Sequence, residues 1–180
     1  METTVAVPVT TGKSAQATGE AVQASVKALT PPSAEMAAQF LREVAWDERL
    51  TAYVYHPAPG AAPEWITQVS HVYNFLRGAP DMFIVKLREL QQWVGEVLGD
   101  EEVAVEIGVL LERLPEEDEN DICNRAWLES DTERQAVARI KANAQIAALA
   151  TARTQLREGV TRLLGERIAQ CAAVLEISED

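Results

Sequence analysis

Apolar residues recur every three or four positions in the region after Ser33, a residue that favours the N-cap of a helix. This spacing predicts an amphipathic helix over residues 34–55. The proline-rich segment 56–60 cannot continue a helix and is expected to end it. The residues that carry the apolar stripe are Met36, Phe40, Leu41, Val44 and Leu50.

Two further helices are predicted before residue 100, and we expect them to pack against each other. The second ends at Gly78, with Pro80 beyond it, and the third begins at Asp81 as its N-cap and ends at Gly99. The apolar face of the second helix consists of Trp65, Val69, Val72, Phe75 and Leu76. The apolar face of the third consists of Phe83, Ile84, Leu87, Leu90, Val94 and Leu98.

Residues 101–114 are rich in Val, Ile and Leu, and those from 103 to 109 alternate in a way that also suits a strand. A helix is preferred because the sequence shows no partner strand. An acidic break over residues 115–121 follows, and residues 122–128 are expected to add one or two helical turns. Trp46, Trp65, Trp93 and Trp127 fall one in each segment and are interpreted as core anchors.

A long helix is predicted from residue 131 to residue 177, where the sequence has no proline. Ser130 and Glu133 form a capping box at its start. Unbroken, it would span roughly 70 Å, so we expect it either to break near Gly159 or Gly165 or to project into a partner. Eight alanines between residues 136 and 152 indicate a close approach by another helix.

Residues 1–33 contain few charged or large apolar residues, so they cannot bury enough surface to fold alone. The segment 20–29 could form a short helix against something else. The predicted fold is therefore all-α: a low-complexity N-terminal arm over residues 1–33, a helical bundle over 34–128, and a long, coiled-coil-like C-terminal helix or helical hairpin over 129–180. The whole chain is expected to hold about four to six helices.

A formal net charge of -12 argues against direct binding to nucleic acid or to an anionic membrane surface. No stretch reaches the roughly 18 apolar residues of a membrane span. The expected location is the cytoplasm or the inside of an assembled particle. Cys123 and Cys171 lie far apart without a CxxC pattern, so two reduced thiols and no metal site are predicted.

The most distinctive candidate for partner binding is the segment 100–121, which holds ten acidic residues and one basic residue, Arg113. It lacks the spacing of a calcium loop, and a solvated acidic face is the alternative interpretation. Tyr53 and Tyr55, beside the proline-rich loop, are the aromatic residues expected to be exposed. The acidic candidates are Asp100, Glu101, Glu102, Glu116, Glu117, Asp118, Glu119 and Asp121.

Catalytic residues, a cofactor and a small-molecule substrate are not predicted. His71, next to Ser70, could act as a base, but no third residue completes a triad, and His56 precedes a proline in a turn. Neither histidine has the Glu-x-x-His spacing of a di-iron bundle. A glycine-rich phosphate loop is also missing from the sequence.

The leading functional hypothesis is a non-enzymatic scaffolding subunit that acts through helix-mediated protein contacts, including self-association. By analogy with arms and long helices in large assemblies, it could be a component of a particle such as a virion. The alternative is an acidic inhibitor or adaptor that masks a basic surface on a nucleic-acid-handling protein. An enzyme built around His71 is a third, weaker possibility.

Overall fold

The computed structural model describes residues 28–56, 60–78, 83–84, 86–115, 118–128 and 132–178. This part of the chain is mostly helical and contains a small antiparallel sheet. The helices are α1 (Ala34–Leu41), α2 (Val69–Arg77), α3 (Leu87–Gln92), α4 (Glu101–Leu111), α5 (Glu119–Trp127) and α6 (Thr132–Ser178). The strands are β1 (Leu50–His56), β2 (Gly60–Ile66) and β3 (Phe83–Ile84), in the order β2-β1-β3.

The predicted helix over residues 34–55 is wrong beyond Leu41. Its start is confirmed, because the Ser33 hydroxyl accepts a hydrogen bond from the Met36 amide at 3.2 Å. A 3₁₀ turn then covers Trp46–Glu48, and β1 pairs with β2 from Leu50↔Ile66 to His56↔Gly60. The β1 sequence LTAYVYH is rich in β-branched and aromatic residues, which favour a pleated strand over a helix.

The second and third helices are shorter than predicted. Trp65 belongs to β2, and α2 begins only at Val69. Phe83 and Ile84 pair with β1, and the third helix begins at Leu87 before widening into a π-turn over Trp93–Val97. The predicted N-cap Asp81 lies outside the described residues. The turn ends at Gly99, whose φ of +73° suits glycine.

The helix predicted over 101–114 is confirmed as α4, so the strand alternative for residues 103–109 is wrong. Asp100 caps it, since its carboxylate accepts a hydrogen bond from the Val103 amide at 3.0 Å. The expected turns around residues 122–128 form the full helix α5, whose cap is the carboxylate of Asp118.

The long C-terminal helix is confirmed, and α6 runs for 47 residues without a break. Of the two alternatives for this helix, the break near Gly159 or Gly165 does not occur. Both glycines mark places where other elements approach: a methyl group at Gly159 would lie 3.0 Å from Leu110 Cδ1, and one at Gly165 would lie 2.8 Å from Tyr73 Cε2. The side chains of the proposed capping box lie outside the described residues.

The buried apolar residues fall into two separate clusters. The main core joins α1 to α4 and the sheet to the C-terminal half of α6, from Leu156 to Cys171. A smaller core joins α5 to the N-terminal half of α6 and consists of Ile122, Ala126, Ala142 and Leu149. We call α5 and residues 132–153 of α6 the helical hairpin.

Candidate functional site

The acidic segment does not form one solvated face, because three of its carboxylates pair with arginines of α6. Asp100 is buried, and Glu102 lies beside it at the start of α4. Glu119, the first residue of α5, pairs with Arg153 at 2.5 Å across a partly exposed contact. These three acids therefore bind within the molecule.

Arg167 is the centre of the buried part of this arrangement and is 0% exposed. Its Nε lies 2.7 Å from Asp100 Oδ2, a charge contact without the alignment of a hydrogen bond. Its Nη2 donates to Glu102 Oε2 at 2.8 Å, and its Nη1 donates to the Thr30 carbonyl at 2.6 Å. A second bond from Nη1 to Gln170 Oε1, at 2.9 Å, completes the network.

The network also holds residues 28–33, which we call the N-terminal strap. The amide and hydroxyl of Thr30 donate to the Glu102 carboxylate at 3.0 Å, and Leu29 and Pro32 are buried. The last residues of the predicted arm thus pack against their own bundle. Residues 1–27 lie outside the described residues, so the short helix proposed within segment 20–29 stays a prediction.

The carboxylate of Glu102 is poised to stay ionised. Burial acts to raise its pKa, but hydrogen bonds donated by Arg167 and Thr30 outweigh burial, so the net pKa lies below the ordinary value. The pKa of the Cys171 thiol shifts in the opposite direction. Burial raises its pKa to about 11, which keeps the thiol protonated and unreactive.

The other candidate residues are dispersed. Glu101, Asp118 and Asp121 are exposed, although Asp118 is occupied as the cap of α5. Glu116 and Glu117 lie outside the described residues. Tyr53 is half-buried in β1, and the side chain of Tyr55 is also outside the described part. The structure therefore does not bring the tyrosines and the acids together into one described site.

The outer face of α4 combines exposed apolar and acidic residues. Val105 is 61% exposed and Val109 is 39% exposed, although Val103, Ile107 and Leu110 on the opposite side are buried. Glu101 and Glu112 are exposed on the same side as the two valines, since spacings of four and eleven residues return to one face of a helix. We call these four residues the α4 face.

The helical hairpin exposes a larger apolar surface. Trp127 is 73% and Leu128 is 84% exposed at the end of α5, and Val137 and Ile140 are exposed on α6. Ala144 and Ala148 continue the exposed side, opposite the buried Ala142 and Leu149. We call Val137, Ile140, Ala144 and Ala148 the α6 stripe. The sequence analysis named none of these residues as a site, although the alanine run was a signal.

The expectation that all four tryptophans are core anchors is wrong. Only Trp93 is buried, with its Nε1 donating to the Glu48 carbonyl at 2.7 Å. Trp46 and Trp65 lie on the surface with ring centroids 5.3 Å apart, and the guanidinium of Arg49 lies 4.2 Å from the Trp46 ring. This surface cluster closes the base of the β1–β2 hairpin.

An open groove of about 640 Å³ lies between α2 and α6. Its walls include Tyr73 and Leu76, and its charged residues are of both signs. Three arginines stand beside two glutamates, so the groove has no strong preference for a charged ligand. The charged residues are Arg77, Arg157, Glu158, Arg162 and Glu166.

The described residues also bear on the other chemical possibilities. They contain no group of three or more His, Cys, Asp or Glu residues that could hold a metal ion. His71 is exposed on α2, and the side chain of His56 is outside the described part. No helix in these ranges combines the length and apolar character needed to cross a bilayer.

Comparison with protein-family models, with curated proteins and with solved structures gives no match for this chain.

Proposed function

We propose that this protein is a non-enzymatic scaffolding subunit that assembles through contacts between helices, including contacts with copies of itself. The observation that carries the proposal is the exposure of large apolar side chains on the helical hairpin. Trp127, Leu128 and Ile140 are each at least 70% exposed on consecutive helices. Large apolar side chains exposed on one part of a protein are typical of interaction sites.

The packing of the helical hairpin supports the same proposal. Its own core contains four buried residues, two of which are alanines. A two-helix unit with so few buried side chains gains little from the hydrophobic effect by itself. Burial of its exposed side against a partner would add apolar contact without displacing any residue of the main core.

The proposal is tested by the solution mass of the full-length protein, measured by light scattering after size exclusion over a wide concentration range. A multimer is expected, and the double variant Trp127→Gln/Ile140→Gln should dissociate at concentrations where the wild type stays assembled. Ile177→Gln is the matched control, because Ile177 is 77% exposed at the far end of α6. A wild-type monomer at every concentration would reject self-assembly.

The alternative function is an acidic inhibitor or adaptor that covers a basic surface. The exposed carboxylates of Glu101, Glu112 and Asp121 favour it. The internal ion pairs of Asp100, Glu102 and Glu119 leave fewer charges for such a partner. A monomer that displaces a basic protein from DNA, with binding lost steeply as salt rises, would support this function instead. Either function could operate in the cytoplasm or in an assembled particle.

A further inference from the structure

We propose that the α6 stripe of one copy docks on the α4 face of a second copy. This inference rests on the proposed self-assembly and names the two surfaces that make the contact. The molecule that occupies each surface is a second copy of this chain, because the two surfaces match each other in apolar content and in charge.

The exposed apolar side chains of the two surfaces allow two helices to pack together. The α4 face presents two valines, Val105 and Val109, one helical turn apart. The α6 stripe presents Val137 and Ile140 followed by alanines, which let a second helix approach closely. Each surface is one helix wide, so the two can pack as a helix pair.

The charges near the two surfaces are opposite in sign, although the chain as a whole is acidic. Residues 134–157 contain no acidic residue and five basic residues, in a protein whose net charge is -12. Lys141 of this segment is exposed beside the α6 stripe, one residue after Ile140 and three before Ala144. The α4 face carries Glu101 and Glu112. Because two copies of an acidic protein repel each other overall, a local pairing of opposite charges would set where they meet.

Neither surface is covered by the residues of its own chain that the structure describes. The buried side of α4 already packs on the C-terminal half of α6, where Leu110 lies over Gly159. The α6 stripe points away from α5, which covers Ala142 and Leu149 on the other side. Within the described ranges, the α4 face and the α6 stripe are therefore both exposed and accessible to a second molecule. A reciprocal contact would close a dimer, and a one-way contact would extend a chain.

The decisive experiment exchanges the charges of the two surfaces. One variant is Lys141→Glu, and the other is Glu101→Lys/Glu112→Lys. Each alone should associate about tenfold more weakly than the wild type, because like charges then face each other. An equimolar mixture should recover association, since each variant supplies a surface complementary to the other. The readout is mass against concentration in analytical ultracentrifugation.

The matched control is Arg139→Glu, which makes the same change of charge as Lys141→Glu at an exposed position of the same helix that faces away from the α6 stripe. It should associate more nearly like the wild type than Lys141→Glu does. Two outcomes would overturn the inference: both test variants assemble like the control, or the mixture fails to recover. Either result leaves the proposed function standing if the wild type still assembles. A monomeric wild type rejects the proposed function itself.

A second measurement does not depend on the charge-reversed proteins folding. In a Cys123→Ser background, Val105→Cys in one sample and Ile140→Cys in another are mixed and oxidised. A disulfide-linked heterodimer is expected, and Cys171 should take no part because its thiol is buried. Ser70→Cys replaces Val105→Cys in the control mixture. Equal cross-linking in both mixtures would contradict the contact.

Discussion

Arg167 joins three segments that are distant in sequence: the N-terminal strap, the start of α4 and α6. A buried guanidinium is stable only when its charge and its donors find partners, and here a buried carboxylate faces it. Removing one member of such a pair is costly because the other charge is left behind. The fold therefore requires both members of the pair, although the intact pair is not a strong source of stability.

We predict that Arg167→Ala lowers the free energy of unfolding by about 3–5 kcal/mol, because Asp100 is left buried without a counter-charge. Adding Asp100→Asn should recover part of the loss. Arg162→Ala, an exposed arginine on the same helix, serves as the control and should change stability by less than about 1 kcal/mol. Denaturant unfolding followed by circular dichroism measures all three. Equal losses at the two arginines would contradict the role of Arg167.

We predict that part of the stability is lost in acid through Glu102. Its pKa is lowered in the folded state, so its contribution is fully present above the unfolded pKa of roughly 4.3 and disappears as pH falls through the folded value. Glu102→Gln should therefore be less stable than wild type at pH 7, and the difference should shrink below about pH 4. Unfolding free energies measured between pH 3 and pH 7 test this. A constant difference would contradict it.

The sequence identified Asp100 and Glu102 as notable acids but could not show what they bind. Their partner, Arg167, interrupts the apolar stripe of α6, and Arg153 does the same fourteen residues earlier. Charged residues that interrupt the apolar stripe of a long helix, two heptads apart, were the available signal. The spacing of the apolar residues of α6 does not by itself reveal it.

At the scale of elements, the long helix and α4 were predictable because their apolar spacing continues over many turns. The β1–β2 hairpin was not. Apolar residues at 36, 40 and 44 continue a helical spacing past the point where α1 ends. Strand β1 forms because it pairs with residues 60–66 and 83–84. The spacing of apolar residues within one segment carries no information on such pairing. The same error placed Trp65 on a helix.

The sequence left open whether α6 breaks at its two glycines, for a related reason. Glycine weakens an isolated helix, but the packed helix tolerates it where another element comes close. Gly165 lies against the ring of Tyr73, and Gly159 lies against Leu110. The two glycines therefore lie where α2 and α4 pack on α6. The sequence of α6 alone does not show which elements pack there.

We predict that Gly165→Ala destabilises the protein by about 1–2 kcal/mol although alanine is the better helix former, because its methyl group would overlap the Tyr73 ring. The control is Ala148→Gly at an exposed position of the same helix, which should cost about 1 kcal/mol from helix propensity alone. Thermal and denaturant unfolding measure both changes. Stabilisation by Gly165→Ala would show that Tyr73 moves aside freely.

At the scale of the whole molecule, stability and charge are both unevenly distributed. The main core holds most of the buried side chains, whereas the helical hairpin depends on four. The hairpin also carries basic charge on a chain that is acidic overall. The part of the molecule that is least stabilised by its own core is thus the part with the exposed apolar surface.

We predict that backbone amides of the helical hairpin exchange with solvent faster than those of residues 156–171 in the dissociated protein, because few buried contacts oppose local opening. Assembly should slow exchange in the hairpin and in α4. Hydrogen–deuterium exchange at low and high protein concentration tests this, with α2 as the internal reference. Uniform exchange along α6 at low concentration would contradict the prediction.

The four tryptophans give the protein two separate optical signals. Trp93 is shielded inside the main core, so its fluorescence should shift to the red only when that core unfolds. Trp127 stands in water on the helical hairpin, so its emission should shift to the blue when a second molecule covers it. In a Trp46→Phe/Trp65→Phe background, unfolding of the dissociated protein would shift the Trp93 emission to the red. Assembly would shift the Trp127 emission to the blue. One unlabelled sample could then separate the energetics of folding from those of assembly.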